Sequence, residues 1–547
     1  MQTLIFQDGK LTEESPDPHE GNNPKANSLQ RGRACFNCRR KKIRCDGSRP
    51  VCGPCRRGGS TEDCEYTTGQ KPAKIEILEA NINRVQSRIL ELEHPQHPPV
   101  VLYRPYENSS PSTSISSHSW EAIDEPPRDL AVQLIDSFLD CSSEFGFFLN
   151  ATRFRESALL QYPLGHHARP APALLSAVHL LGLRLLQVPH LADQEPVLLS
   201  RTLNLNSRGL EGNHPHKVMH NLQAKILLSY FFLADGRFVE AEYHSASAVS
   251  LSISSSLHLI SSVLPSSPGL LLPPRDTVED GERTCAWWTA TVLDQSLAVV
   301  LKHGPHLDHR QATCPVDTPW PLEMLDYENG HNQRGPSSNT LQSFVTGIST
   351  SDGGSMSTMA TLAKAALLWQ RADGLARDWK PDMLRPEAAS FNTAFLNLNN
   401  LIDDFCSALV PPNRLTNPTP VMRRTLVVAH SMAHSAVIQL QNMWPLRLDP
   451  GARRKRLLAA RTILNIIVAV SSRHFTYINP VMGTVWLTAC EEVVNEIRTL
   501  MNQRTHWMGE EEKGLRVFLA QAMEAISTFA TTCQFMSTFL RFYHRLL

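Results

Sequence analysis

No run of about 18 consecutive apolar residues occurs in this chain, so no segment has the length to cross a bilayer as a helix. Strand-type alternation is nearly absent too, which argues against a sheet-built body. The formal net charge is zero, from 53 basic and 53 acidic residues, so the chain as a whole is not a polycation. Phosphate-cradling, dinucleotide-binding, nucleophile-elbow and zinc-protease motifs are all missing, and with them the usual grounds for an enzyme. Met1-Gln2-Thr3-Leu4, then Asp8, Lys10 and Glu13, form no apolar core or cleavage signal. An intracellular, reducing compartment is therefore expected.

What the chain does have is concentrated near its start. Six of its twelve cysteines, Cys35, Cys38, Cys45, Cys52, Cys55 and Cys64, are spaced C-x2-C-x6-C-x6-C-x2-C-x8-C. The other six (Cys141, Cys285, Cys314, Cys406, Cys490, Cys533) are scattered singly and read as reduced core residues. Tetrahedral zinc takes four soft donors, and each C-x2-C turn delivers two of them. Six thiolates fill two such sites only if two sulfurs are shared, which gives two zinc ions per chain. A single zinc with two spare thiols is the simpler alternative, and a disulfide knot would need an oxidising compartment. The segment also repeats itself: Cys35-Phe36-Asn37-Cys38-Arg39-Arg40 is echoed by Cys52-Gly53-Pro54-Cys55-Arg56-Arg57. Two half-modules follow, each a C-x2-C turn opening a short helix, with turn residues Asp46-Gly47 and Arg49-Pro50 between them.

Charge supports a polyanion partner. From Arg31 to Arg57 there are ten basic residues against one acid, Asp46, inside a neutral chain. So local a basic block fits a dedicated nucleic-acid site, although Arg39 to Arg44 alone could serve as a nuclear import signal.

The spacing, the string Cys38-Arg39-Arg40-Lys41-Lys42-Ile43-Arg44-Cys45 and Arg49-Pro50 before Cys52 resemble the fungal binuclear zinc cluster transcription factors. The resemblance implies that Cys35 and Cys52 bridge two zinc ions, with Cys38 and Cys45 completing one site and Cys55 and Cys64 the other. It also implies recognition of CGG-type half-sites in the major groove of double-stranded DNA by the lysines of the first helix. Lys41 and Lys42 fall at those positions, with Arg40 a third candidate. Arg39, Arg44, Arg56 and Arg57 complete the expected DNA-contacting set. A nuclear regulator of RNA polymerase II genes is the function so implied.

Beyond the cysteines, Ile75, Leu78, Ile82, Val85, Ile89 and Leu92 recur at steps of three and four. That is a three-heptad seam with Ile at every a position, and Leu at two of its three d positions suits a two-stranded coil. In a parallel pair the facing g and e residues would be Lys74 with Glu79, Asn81 with Gln86 and Arg88 with Glu93, without a like-charge clash. A parallel homodimer is expected, with an amphipathic helix lying on the next domain as the alternative. The seam spans only about 27 Å of helix, which is marginal for a coil on its own.

Composition organises the rest. Residues 1–30 read as a disordered arm, 31–67 as the zinc cluster, 68–94 as a linker and coiled-coil helix, and 95–127 as a Pro/Ser-rich linker. Residues 128–547 read as a large all-α regulatory domain, with a disordered insertion expected at 329–357. The fold class expected is thus mainly α: a zinc-built module, a short parallel coiled coil and a helical body. Ala241, His244, Ala248 and Leu251 should be buried on a helix that follows the Asp235-Gly236-Arg237 turn. Further helical patterns cover 359–378, 391–408, 422–443, 452–472, 480–501 and 511–546.

Within this body Glu282-Arg283, Trp287-Trp288, Leu293-Asp294 and Gly304-Pro305 resemble the middle homology domain of the same fungal regulators, as does the Leu-rich stretch from Pro172 to Leu186. The usual Arg between the Gly and the Pro is missing. The resemblance implies a helical region that restrains or transmits activity, in some members in response to a small-molecule effector. Asp294 could be catalytic, but a buried hydrogen-bonding role is the expectation. His303, His306 and His309, like His214, His216 and His220, could hold a metal. Gly304-Pro305 and Pro215 interrupt any ligand-bearing helix face, so solvated loop histidines are expected instead. A ligand-sensing helical scaffold whose zinc module contacts protein or RNA is the competing function, and no membrane partner is expected.

Overall fold

The computed structural model describes residues 33–66, 82, 86, 125–261, 271–307, 316–332, 340–346, 357–411, 419–443, 449–471, 475, 477–503, 508–530 and 533–537. The chain divides into two compact units, 1–115 and 116–547. Among the described residues every regular element is helical, and no helix is long and apolar enough to cross a membrane. The first unit holds two single-turn helices, α1 (Phe36–Arg40) and α2 (Gly53–Arg57). Of the expected dimer seam, Ile82 is helical and 55% exposed in the single chain. Ile75, Leu78, Val85, Ile89 and Leu92 lie outside the described residues.

The second unit is an all-α body. Its elements are α3 (Arg128–Leu139), α4 (Ala151–Ala158), α5 (Pro172–Leu186), α6 (Glu195–Ser207), α7 (Lys217–Ala234), α8 (Phe238–Ser254), α9 (Thr277–Val300), α10 (Met324–Glu328) and α11 (Thr340–Val345). They are followed by α12 (Thr358–Asp378), α13 (Arg385–Ala408), α14 (Pro420–Gln441), α15 (Pro450–Ser471), α16 (Met482–Gln503) and α17 (Met508–Ala530). Several starts are set by side-chain caps: Asn150, Asp276, Ser357 and Thr419 each accept a first-turn backbone N–H. After Asp235-Gly236-Arg237 the chain enters α8, which packs on α7 and buries Ala241, His244, Ala248 and Leu251, as the periodicity required.

The centre of the body is α9, buried over nearly its whole length against α12, α8, α7 and α10. Small residues (Ala286, Thr289, Ala290, Thr291, Ser296, Ala298) let neighbours approach on all sides, while Trp287 and Trp288 fill the remaining space and are fully buried. Trp288 also donates its indole N–H to the Pro319 carbonyl at 2.7 Å and stacks on Trp320. Each such Trp contributes about 3–5 kcal/mol by the cost of truncating it. Close helix contact has its sharpest form where α5 crosses α3, because a Cβ on Gly182 would lie 2.1 Å from the Leu134 carbonyl oxygen.

Two expectations are revised. Within 329–357 the chain forms α11, which buries Leu341, and the Thr340 N–H bonds to the Val316 carbonyl. Leu341, the Thr340 N–H bond and the ring of Phe344, set edge-on to Trp320 and Phe405, anchor that turn, and none of these contacts shows in a Gly/Ser/Asn-rich composition. The histidines are not loose solvated residues either. His214 and His220 are fastened to the backbone of Arg169 and Ala171, at 2.8 and 3.0 Å, and their rings sit 5.4 Å apart. His303 and His306 face a carboxylate on α8. His309 lies outside the described residues. Asp294 is 1% exposed and accepts the backbone N–H groups of His306 and Leu307, the hydrogen-bonding role expected of it.

Candidate metal centre and nucleic-acid interface

Each half-module begins on a cysteine in extended conformation, Cys35 (φ −61°, ψ 156°) and Cys52 (φ −67°, ψ 152°), followed at once by helix. The first cysteine of each pair thus caps a helical turn and the second rides on it, so both sulfurs point to one side. The internal sequence repeat becomes a structural one. All six cysteines are buried, and among the described residues only Ala34, Val51 and Tyr66 pack on them as partly buried apolar neighbours. Among the described residues of this unit the cysteines themselves form the only buried cluster.

The sulfurs converge in two groups of four: Cys35, Cys38, Cys45 and Cys52, and Cys35, Cys52, Cys55 and Cys64. Within each group the ligand atoms lie within 4.8 Å of one another, and Cys35 and Cys52 belong to both. Cys35 to Cys52 is 3.7 Å, Cys38 to Cys52 is 3.5 Å and Cys35 to Cys55 is 3.7 Å. A tetrahedron with zinc–sulfur bonds of about 2.3 Å has edges of about 3.8 Å. The donors therefore fit the ion in both identity and separation. A further short separation, 3.8 Å between Cys38 and Cys55, crosses from one group to the other. Burial pushes the Cys38 thiol up to about 12 and Cys35 higher still, so their thiolate forms need the countercharge of a cation. Burial also acts upward on Cys55, but hydrogen bonds from Cys52 and Asn37 outweigh it and lower that thiol.

Neighbouring groups lock the frame. Asn37 donates from Nδ2 to Cys55 Sγ at 3.4 Å, and the Cys52 N–H donates to Cys64 Sγ at 3.2 Å. The carboxylate of Asp46 accepts from the Ser48 and Gly53 N–H groups, pinning the intervening loop to the start of α2. Those bonds, Ser48's foremost, hold Asp46 below its ordinary value. A Cβ on Gly53 would meet Asp46 Oδ2 at 2.4 Å, so a larger residue there would displace that carboxylate from its bonds. Tyr66 donates to the Ser48 carbonyl at 2.9 Å, lies beside Cys45 and carries Arg49 over its ring, while the Phe36 N–H bonds to the Glu65 carbonyl at 2.8 Å. Asn37 and Tyr66 have no signal in a cysteine-spacing pattern, since their role depends on contacts across the two halves.

Arg39, Arg40, Lys41, Lys42, Arg44, Arg56 and Arg57 are all exposed. Arg39 and Arg40 end α1, and Arg56 and Arg57 end α2. The two lysines sit not inside the first helix but at its end: Lys41 is the C-cap, and Lys42 takes a left-handed φ of 53° just beyond it. The chain must turn there to bring Cys45 back to the sulfurs, and the Ile43 N–H bonds to the Cys38 carbonyl as it does so. Lys41 also donates to Ser60 Oγ at 3.1 Å, linking the two halves across this surface.

A family model described as the fungal Zn(2)-Cys(6) binuclear cluster domain matches residues 33–73. Another, the fungal specific transcription factor domain, matches residues 135–414, just over half of the chain. The citrinin biosynthesis transcriptional activator ctnR of Monascus purpureus is 25% identical over 516 residues, covering 84% of this chain and 85% of its own. The citrinin biosynthesis transcriptional activator mrl3 of Monascus ruber is 25% identical over 500 residues, covering 81% and 94% respectively. The C6 finger domain transcription factor hasF of Aspergillus fumigatus is 49% identical over 82 residues, 12% of this chain and 10% of its own. No solved structure matches the chain. The chain belongs to the fungal-specific transcription factors that carry a Zn(2)-Cys(6) cluster, and is a zinc- and DNA-binding regulator of transcription rather than an enzyme.

Proposed function

We propose that this regulator holds two zinc ions on its six cysteines, reads CGG-type half-sites in the duplex major groove, and binds them in the nucleus as a parallel homodimer. The observation that carries the reading is the sharing of Cys35 and Cys52 by two groups of four sulfurs. Cys38 and Cys45 complete one ligand set, and Cys55 and Cys64 the other. The zinc ions supply the cohesion that a module with so little apolar core lacks. Lys41 and Lys42, with Arg40, reach base edges, while Arg39, Arg44, Arg56 and Arg57 neutralise phosphates. Ile75, Leu78, Ile82, Val85, Ile89 and Leu92 form the dimer seam. An activating output on a biosynthetic gene set is supported by the two long relatives, both named as activators of a biosynthetic pathway.

Selection of bound sequences from random duplex DNA at fixed salt tests this. Enrichment of paired CGG-type triplets at a preferred spacing is expected. Recovery of no duplex sequence would overturn it and favour protein or RNA contacts for the module.

A further inference from the structure

A single hydroxyl sits among the cations of the zinc module. Ser60 lies in the eight-residue loop from Cys55 to Cys64, the longest interval between consecutive cysteines of the cluster. Its N–H bonds to the Cys55 carbonyl at 3.0 Å, just past a turn at Gly59, which takes a left-handed φ of 66°. The side chain is partly exposed, and Arg56, Arg57, Gly58, Gly59 and Thr61 around it in the chain are exposed. Ser60 Oγ accepts from Lys41 Nζ at 3.1 Å and donates to the Gly58 carbonyl at 3.4 Å. The hydroxyl is thus held against one of the two lysines that end the first half-module.

Sequence adds a second, independent feature. Arg57 stands three residues before Ser60 and Arg56 four, and basic residues at such offsets from a serine are a charge pattern by which protein kinases choose substrates. The same cations that attract DNA would therefore mark this hydroxyl for a kinase with an acidic substrate groove. In the unmodified chain the hydroxyl offers Lys41 one hydrogen bond and no charge, so the lysine can exchange it for a base edge. A dianion in that place would bind it far more firmly.

We propose that Ser60 is a phosphorylation site for a basophilic protein kinase, and that its phosphate switches off DNA binding by capturing Lys41. This rests on the base-reading role given to Lys41 above. In the transfer, Ser60 Oγ attacks the γ-phosphorus of ATP, its proton passes to a carboxylate of the kinase, and the bond to the bridging oxygen breaks to release ADP. Phosphoserine brings a charge of about −1.5 to −2 and three strong acceptor oxygens. Built on an oxygen that already meets Lys41 Nζ at 3.1 Å, these acceptors hold the ammonium in charge-assisted bonds and keep it from the bases. The added charge also offsets up to about two of the cations that draw the module to the DNA backbone. Both effects weaken binding.

The zinc-loaded full-length chain is incubated with magnesium-ATP and the catalytic subunit of cAMP-dependent protein kinase, and the modified residue is mapped by mass spectrometry. A phosphate at Ser60 is expected. Binding of the selected duplex, read by fluorescence anisotropy, should weaken by at least about fivefold, the smallest cost of losing one base-edge contact. The slope of log affinity against log salt should flatten by about one to two. In Ser60→Ala the same treatment should leave affinity where it stood beforehand. Lys41→Ala, untreated, is measured beside them and should bind more weakly than the unaltered chain. No phosphate at Ser60, or a phosphate there that leaves affinity unchanged while Lys41→Ala is weakened, overturns the proposal. Loss of zinc on phosphorylation does so too, because the phosphate would then break the module instead of capturing a lysine. If Lys41→Ala binds as tightly as the unaltered chain, the base-reading role of Lys41 is refuted, and the capture with it.

Discussion

Replacing Cys52 by Ala removes a sulfur common to both groups of four, whereas replacing Cys64 removes one that belongs to a single group. Cys64→Ala leaves Cys35, Cys38, Cys45 and Cys52 as an intact tetrad, and one zinc per chain should remain. Cys52→Ala leaves each group with three sulfurs, and both ions should be lost. The energetic stake is large, since a structural zinc contributes about 10–16 kcal/mol of apparent binding free energy. The apolar alternative is weak: Ala34, Val51 and Tyr66 are only partly buried on the cysteines, and even a fully buried large side chain contributes about 1.5–3 kcal/mol. Loss of both ions should therefore unfold residues 33–66 while leaving the helical body intact. Metal is counted by mass spectrometry on the full-length chain. Equal zinc content in the Cys52→Ala and Cys64→Ala chains would refute the shared-ligand reasoning.

Further expectations concern the DNA surface, the dimer and the body. Lys42→Ala should relax base preference at one position by about 1–3 kcal/mol, whereas Arg57→Ala should weaken binding evenly across sequences and reduce the salt slope by about one, both read from fluorescence anisotropy at several ionic strengths. Ile82→Asp should convert two chains per paired half-site into one in sedimentation, and an unchanged mass would exclude the coil as the dimer contact. Gly182→Ala should destabilise the body by at least about 1–3 kcal/mol in urea unfolding, because the new methyl meets the Leu134 carbonyl; an unchanged midpoint would contradict the close crossing of α3 and α5. Burial, aided by Arg169 and Arg201, pushes His179 down to about 3. A histidine lowered in the folded state contributes stability that is complete above its unfolded value near 6.5 and is lost as pH falls toward 3. Between pH 6.5 and 5 the loss should reach about 2 kcal/mol, and His179→Leu should flatten that slope by about one proton.

What the sequence made legible is what local spacing controls. The six cysteines could be read because ligands to one ion must lie on short turns, and the long helices because a buried face repeats every three to four residues. On α9, Asp294 occupies the buried hydrogen-bonding place expected of it. The rest depends on contacts between distant segments. Lys42 reads from sequence as one more basic residue of a helix, yet the return of the chain toward Cys45 places it beyond the helix in a left-handed conformation. Gly304-Pro305 reads as an interruption of a histidine pattern, yet the turn it makes brings His303 and His306 to one oxygen of Glu242. Neither outcome follows from periodicity, because the partners that impose it come from other elements. Leu341 in α11 was hidden for the same reason.

The most direct test of the account compares duplex selectivity before and after metal is removed. The full-length chain is incubated with a selected paired half-site and a scrambled competitor at one salt concentration, first as purified, then after chelation, then after zinc is restored. The ratio of specific to scrambled affinity should fall to about one without metal, leaving only the salt-dependent phosphate attraction, and return with zinc. Undiminished selectivity in the metal-free chain would contradict it.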